Sequence, residues 1–132
     1  MAELTGTELV TPREHPHLAD LPPQVAVYDI NGPLFFGAAE KALDNLREVS
    51  PEVRVVIIDM TDVSMMDMTA LVAFDTLVKN MRKKKVALVI CGLLPRLATK
   101  LANAGIAPEE DVLHVCDSLT QARVMALDLA KG

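Results

Sequence analysis

Three aspartates fall close together in the middle of the chain, and their type and spacing come nearest to catalytic chemistry. Asp59, Asp62 and Asp67 all lie in one short segment. Paired carboxylates can act as general acid and base, but this segment offers no obvious companion nucleophile. The other chemistry open to it is binding, because the exposed N–H groups of a helix start favour anions. The segment therefore indicates a recognition surface more than a catalytic centre.

Other signals of enzymes and metal sites are missing from the sequence. The chain has no Gly-rich phosphate loop, no nucleophile elbow and no His-Glu-x-x-His motif. Cys91 and Cys116 are expected to be buried, reduced thiols, with a disulfide across neighbouring strand ends as the alternative. His15 and His17 lack carboxylate or thiol neighbours at ligand spacing. We therefore expect no catalytic activity, no cofactor and no metal.

The aspartates sit where a predicted strand passes into a predicted helix. The apolar run 55–58 closes at Asp59, and beyond the loop apolar residues recur at helical spacing, at Leu71, Phe74, Val78 and Met81. Asp67 falls at the helix start, where its oxygen would accept from the N–H of Thr69 or Ala70. Such strand-loop-helix units put their loops at the carboxyl edge of a sheet, where α/β proteins usually bind ligands.

The same patterns predict the remaining elements. Strands are predicted over 24–30, 86–90 and 112–115, and helices over 38–49, 94–104 and 119–130, the last with a capping box at Ser118. The order β-α-β-α-β-α-β-α indicates the α/β class, with a small mixed sheet and helices laid over it. Helical connections favour parallel pairing of the apolar strands. The first strand is predicted to be antiparallel, because Asn31-Gly32-Pro33 turns the chain sharply.

Residues 1–23 differ in character from the rest of the chain. They are polar and irregular, and their prolines disfavour a regular element because each fixes its own φ and removes a donor. We predict a linker that partly packs on a domain formed by residues 24–132. A short edge strand over 8–10 is the one candidate element within the linker.

Leu34-Phe35-Phe36 brings two aromatic rings into adjacent positions. Adjacent residues of an extended segment face opposite sides, so both rings cannot enter one core. The favoured interpretation is that both faces are covered, and the alternative leaves one ring for a partner. Together with Gly37, these residues form the candidate interface.

Composition and charge exclude several classes of protein. The 132 residues suit one domain, and a hydrophobic content of 51% can fill a core. The net charge of -5 argues against nucleic-acid binding. No apolar run approaches the ~20 residues needed to cross a bilayer, and the first residues do not resemble a signal peptide. The cations within 79–85 are interpreted as a solvated helix end, with anionic lipid as the alternative partner.

Two stretches resemble one known family. Residues 59–71 resemble the strand-loop-helix signature of STAS domains, which sulfate transporters and anti-sigma-factor antagonists share. The stretch 32–37, Gly-Pro-Leu-Phe-Phe-Gly, resembles the segment typical of STAS domains on bacterial SulP anion transporters. The helix-ending Gly105 is common to both branches, and the likeness covers about 25–129. Residues 1–5 are similar to the linker that leaves the transporter's last membrane helix.

The resemblance implies that residues 24–132 have the STAS fold. They would form the cytoplasmic regulatory and assembly domain of a SulP-type secondary transporter of sulfate or a related anion, such as bicarbonate or dicarboxylate. That domain would lie at the cytoplasmic face of the inner membrane. The implied partners are its own membrane domain, joined through 1–23, and a second protomer. A cytosolic regulatory protein and a nucleotide are further candidates. The implied recognition surface consists of Asp62, Ser64, Asp67, Met68 and Thr69.

The alternative is a free-standing anti-sigma-factor antagonist that binds a partner kinase. In that branch of the family, the residue after the loop aspartate is a serine or threonine that the kinase phosphorylates. Here that residue is Met68, the next hydroxyl belongs to Thr69, and Ala70 stands where the family usually has glycine. The resemblance therefore implies no phosphorylation switch at the usual residue.

Overall fold

The fold was described from a computed structural model, which places residues 10–12, 22–31, 33–34, 51–110 and 112–131. These residues form five strands and three helices. The strands are β1 (Val10–Pro12), β2 (Val25–Asn31), β3 (Val55–Asp62), β4 (Ala87–Cys91) and β5 (Leu113–Cys116). The helices are α1 (Met68–Lys84), α2 (Pro95–Asn103) and α3 (Leu119–Lys131). The helix predicted over 38–49 lies outside the described residues.

The strands form one mixed sheet in the order β1-β2-β3-β4-β5. Strands β2 to β5 are parallel, and β1 pairs antiparallel with β2 at the edge of the sheet. The helices α1 and α2 supply the connections that carry the chain from β3 to β4 and from β4 to β5. The prediction of an α/β domain with a small mixed sheet is confirmed.

The predicted direction of β2 was wrong. β2 runs parallel to β3, with Val25 beside Val55 and Asp29 beside Asp59. The turn after Asn31 does not reverse the chain, because Leu34 continues in the same direction and forms a parallel bridge with Met66. The antiparallel pair in the sheet is instead the one between β1 and β2.

The amino-terminal edge strand extends beyond its predicted end. Its described part is Val10–Pro12, with Val10 beside Ile30 and Pro12 beside Tyr28, while residues 8 and 9 of the predicted strand lie outside the described residues. Pro12 ends this edge strand, where one side of the backbone has no ladder partner and a missing N–H is tolerated. The prediction that no regular element forms between Pro12 and Pro23 falls mainly on residues 13–21, which lie outside the described residues.

Both faces of the central strands are buried, as their continuous apolar runs predicted. Alternate residues of β3 face opposite ways, so Val56 and Ile58 lie in the core under α1 and α2, with Phe74 and Leu97. Val55 and Ile57 lie in a second core under α3, against the small residues Ala122 and Ala126. The sheet therefore separates two cores. Its carboxyl edge lies between α1 and α2 on one face and α3 on the other.

The start of α3 agrees in part with the predicted capping box. The Ser118 hydroxyl oxygen accepts from the backbone N–H of Gln121 at 3.2 Å, as predicted. The Gln121 side chain, however, accepts from the N–H of Asp117 at 3.0 Å. The reciprocal bond thus goes one residue further back than the usual motif, but it still satisfies a backbone donor at the helix entry.

Gly92 joins β4 to the carboxyl-edge loops at a point of close approach. Its φ of 72° lies in the left-handed region, and a Cβ built there would collide with the Thr61 hydroxyl oxygen. That Cβ would also lie 3.1 Å from the Thr61 backbone nitrogen and Cα. Gly105 has a similar φ of 87°, but a Cβ there meets nothing within 4 Å. The two glycines therefore separate backbone strain from steric crowding.

We expect Gly92→Ala to destabilise the domain more than Gly105→Ala. Both substitutions force an L-residue into the left-handed region, which costs about 1–2 kcal/mol. Only Gly92→Ala adds the collision with Thr61, so its loss of unfolding free energy should be the larger. Urea unfolding of the two variants and the wild type measures the difference. Equal losses would show that the approach of Thr61 does not constrain Gly92.

Candidate functional site

The candidate site is the loop between β3 and α1 at the carboxyl edge of the sheet. Asp59, where the predicted apolar run closes, is buried within β3, with only 7% of its surface exposed. Its Oδ1 accepts from the Thr61 N–H at 3.0 Å and from the Thr61 hydroxyl at 2.5 Å. Asp59 therefore holds the end of the strand, and the surface of the site begins after it, at Asp62.

Asp67 caps helix α1, as predicted. Its backbone is extended, and its Oδ1 accepts from the Ala70 N–H at 3.0 Å. The same oxygen accepts from the Thr69 hydroxyl at 2.6 Å. The positive end of the helix dipole also stabilises a carboxylate at this position. The side chain of Asp67 thus orders the first turn of α1 and fixes the direction of the Thr69 hydroxyl.

The backbone of the loop is held on one side by the segment around Leu34. The Leu34 N–H donates to the Met65 carbonyl oxygen at 2.9 Å, and the Asp67 N–H donates to the Leu34 carbonyl oxygen at 3.1 Å. The Leu34 side chain is fully buried in the core under α1. These contacts join the loop to the strand β2 side of the sheet.

Two cations of α2 hold the loop on its other side. Arg96 donates to the Ser64 carbonyl oxygen, and the Lys100 ammonium donates to the Met66 carbonyl oxygen. The sequence prediction missed both residues. Their spacing, four apart on a predicted helix, was a signal that they share one face. It could not show that this face would lie beside the loop.

Several large apolar side chains of the loop and of the first turns of α1 are exposed. Met65, Met68 and Val72 are large apolar side chains with 50%, 71% and 60% of their surface exposed. A groove of about 460 Å³ runs between the loop and α2 and is lined by Met65, Met66, Arg96, Leu97, Thr99, Lys100 and Asn103. We call the exposed side chains of Met65, Met68 and Val72, together with Arg96 and Lys100 beside the loop, the loop–helix surface.

The structure brings the predicted recognition residues together at one edge. Asp62, Ser64, Met68 and Thr69 are exposed, and Asp67 is half-buried among them. The predicted interface fares differently, since Leu34 is fully buried and does not offer its side chain to a partner. Leu34 pairs with Met66 in the sheet, and this pairing places the Leu34 side chain in the core. Phe35, Phe36 and Gly37 lie outside the described residues.

The chemistry of the cysteines agrees with the buried, reduced thiols that were expected. Both are buried, and no disulfide joins them. Burial raises the pKa of the Cys116 thiol above its ordinary value, and the neighbouring Asp117 carboxylate raises it further. This thiol is therefore protonated at neutral pH and a weak nucleophile.

The described part of the chain contains neither a group of metal ligands of the usual types nor a helix that could span a membrane. Within residues 10–12, 22–31, 33–34, 51–110 and 112–131, no three histidine, cysteine, aspartate or glutamate side chains are grouped to hold a metal ion. Among those residues, too, no helix is both long enough and apolar enough to cross a bilayer.

A mixed sheet with helices on both faces, a capped helix start and an exposed loop at the carboxyl edge define a small α/β domain. The family model for the STAS domain matches residues 18–122, and the chain belongs to that family. The fold and family expected from residues 59–71 are therefore confirmed. A search of curated proteins gives no match to the chain.

Solved structures from both branches of the family are similar to the chain. A sulfate transporter family protein from Wolinella succinogenes is 28% identical, with a TM-score of 0.74, over 89% of this chain and 97% of that one. The STAS domain of a SulP transporter from Vibrio cholerae is 23% identical, with a TM-score of 0.68, over 86% and 90%. The anti-sigma factor antagonist SpoIIAA is 13% identical, with a TM-score of 0.63, over 93% and 98%. The last two likenesses show the fold alone.

We expect Asp67→Ala to lower the unfolding free energy by about 1 kcal/mol, because it removes the cap of α1. Asp67→Asn should recover most of this loss, since asparagine also caps helices well. Asp75→Ala is the matched control, because it removes an exposed ion pair with Lys79 in the same helix. Such pairs contribute only ~0.3–0.5 kcal/mol. A urea midpoint that shifts no more for Asp67→Ala than for Asp75→Ala would show that the cap contributes little.

Proposed function

We propose that this chain is the regulatory and assembly STAS domain of a SulP-type secondary anion transporter, and that it has no catalytic activity. The observation that carries the proposal is the 28% identity to the Wolinella succinogenes sulfate transporter family protein, which extends over 97% of that chain. The transporter-type stretch at 32–37 supports the same branch. The domain would act at the cytoplasmic face of the inner membrane, on transport of sulfate or a related anion.

The loop–helix surface is the proposed contact with the rest of the transporter. Exposed large apolar side chains that lie together mark interaction sites, and Met65, Met68 and Val72 form such a group. The partner would be the transporter's own membrane domain or the second protomer of a homodimer. The cations Arg96 and Lys100 would give the contact a charged rim that fixes its orientation.

Residues 1–23 are the proposed linker from the membrane domain. Within this linker Val10–Pro12 pairs with β2, so its middle part is attached to the sheet. The attachment limits how far the domain can turn relative to whatever precedes it. A linker of this kind would pass changes in one part of the transporter to the other.

The second candidate function is that of an anti-sigma-factor antagonist controlled by a kinase, and it is supported by the fold shared with SpoIIAA. The chemistry at the helix start argues against it. Met68 has no hydroxyl, and the Thr69 hydroxyl already donates to the Asp67 carboxylate. A phosphate on Thr69 would remove that donor. It would also place a second negative charge close to the Asp67 carboxylate, and this repulsion opposes the favourable interaction of the phosphate with the helix dipole.

Fractionation of native cells tests the choice between the two functions. An antibody against this chain should detect a membrane-fraction protein several times larger than 132 residues. A transporter with its membrane helices has that size and location. A cytosolic band of about the size of this chain would instead support the antagonist. An integral membrane protein and a cytosolic protein of the same cells serve as fractionation markers.

We expect Thr69 to carry no phosphate in native cells, because its hydroxyl is bonded to Asp67. Phosphopeptide analysis of the loop–helix segment measures this, and the exposed Ser64 on the same segment serves as an internal comparison. Substantial phosphate at Thr69, with altered partner binding in Thr69→Ala, would favour the antagonist function. We expect Thr69→Ala to bind every partner as the wild type does.

A further inference from the structure

Two cysteines and a methionine lie in the core on the face of the sheet under α3, opposite the main core. Cys91 and Cys116 are register partners at the ends of the neighbouring parallel strands β4 and β5. Both lie in the core beneath α3, and Met125 of that helix packs against the same core. The Cys116 Sγ lies 3.8 Å from the Met125 Sδ. A strand pair and a helix thus bring two thiols and a thioether into one place.

The spacing of parallel strands determines what the two thiols can do. Neighbouring strands lie ~4.8 Å apart, and register partners present their side chains on the same face. A relaxed disulfide has its two Cα atoms ~4.4–6.8 Å apart, so this spacing alone does not exclude one. Cys91 and Cys116 nevertheless carry reduced thiols, and a thiol that loses its proton can bind a metal ion.

The same spacing suits two ligands of one ion. Sulfur ligands ~2.3 Å from a tetrahedral metal lie ~3.8 Å from each other, and each reaches it from its own Cβ. The Cys116–Met125 sulfur separation of 3.8 Å already has this value. Neither sulfur would need a large movement to bind the same ion.

The ligand set decides which ion would bind. Thiolate and thioether sulfurs are soft ligands that select Cu(I), whereas Mg²⁺ and Ca²⁺ prefer oxygen. We propose that Cys91, Cys116 and Met125 form a binding site for a soft monovalent metal ion of the Cu(I) class. Binding would replace two S–H bonds by two metal–sulfur bonds and release two protons, with no change in oxidation state.

An entry path leads to the site from solvent. A cavity of about 680 Å³ opens over the end of β5 and is lined by Val115, Cys116, Asp117, Thr120, Gln121, Val124, Met125 and Asp128. Cys116 has 8% of its surface exposed and Cys91 only 1%, so an ion would meet Cys116 and Met125 first. The carboxylates of Asp117 and Asp128 would attract a cation to this opening.

This site is independent of the proposed transporter function. It lies under α3, whereas the loop–helix surface belongs to α1, α2 and the loop between β3 and α1. A failure of the metal site would leave the transporter proposal unchanged.

Anaerobic competition for Cu(I) tests the proposal on the full chain, with bicinchoninate as the competing chelator. We expect one Cu(I) per wild-type chain. Cys91→Ala and Cys116→Ala should each weaken binding by more than the ~100-fold that loss of an outer-shell partner can cost. Met125→Leu keeps the volume of the core, so it should fold normally. Its affinity should fall by ~10-fold or more.

Met68→Leu is the matched control, because it removes an exposed thioether on the other side of the sheet and should leave Cu(I) affinity unchanged. Copper X-ray absorption of the wild type should count three sulfur ligands, and that of Met125→Leu two. An unchanged affinity in Met125→Leu, or in the Cys91→Ala variant, would overturn the site. The alternative outcome is no Cu(I) binding, together with a mass loss of two hydrogens when peroxide oxidises the two thiols to a disulfide. That outcome would show that Cys91 and Cys116 form a redox pair and not a metal site.

Discussion

The burial of both faces of β3 is the constraint on which the rest of the structure depends. A strand with apolar residues on every position from Val55 to Ile58 needs a core above and a core below. Helices must therefore cover both faces, and helical connections make the neighbouring strands parallel. Parallel strands end at the same edge, so the loops after β3 and β4 meet there. The position of the candidate site follows from the composition of one strand.

The backbone of the loop at that edge is held by hydrogen bonds, while several side chains of the loop and helix start are exposed. Carbonyl oxygens of Ser64, Met65 and Met66 are bonded to Arg96, Leu34 and Lys100. Backbone groups that are already satisfied do not have to be ordered when a partner binds, which lowers the entropic cost of association. The exposed Met68 and Val72 can then be fitted to a partner without disturbing the loop.

Local sequence patterns predicted the elements that depend on neighbours in sequence. The cap at Asp67 requires only a carboxylate before a helical repeat, and it was found where predicted. The direction of β2 was not predictable from the turn at 31–33, because it depends on the bridge between Leu34 and Met66, distant in sequence. The contacts of Arg96 and Lys100 likewise depend on where α2 lies against the loop.

The pairing of β1 has a mechanical consequence. Val10 lies beside Ile30, near the carboxyl end of β2, so the chain enters the sheet at the same edge as the loop after β3. A pull on the residues before Val10 would load the short β1–β2 ladder along its length. The described part of that ladder is Val10–Pro12, and Pro12 has no N–H to contribute. The described pairing of β1 is shorter than that between the parallel strands β2 and β3, so β1 would detach first under such a pull.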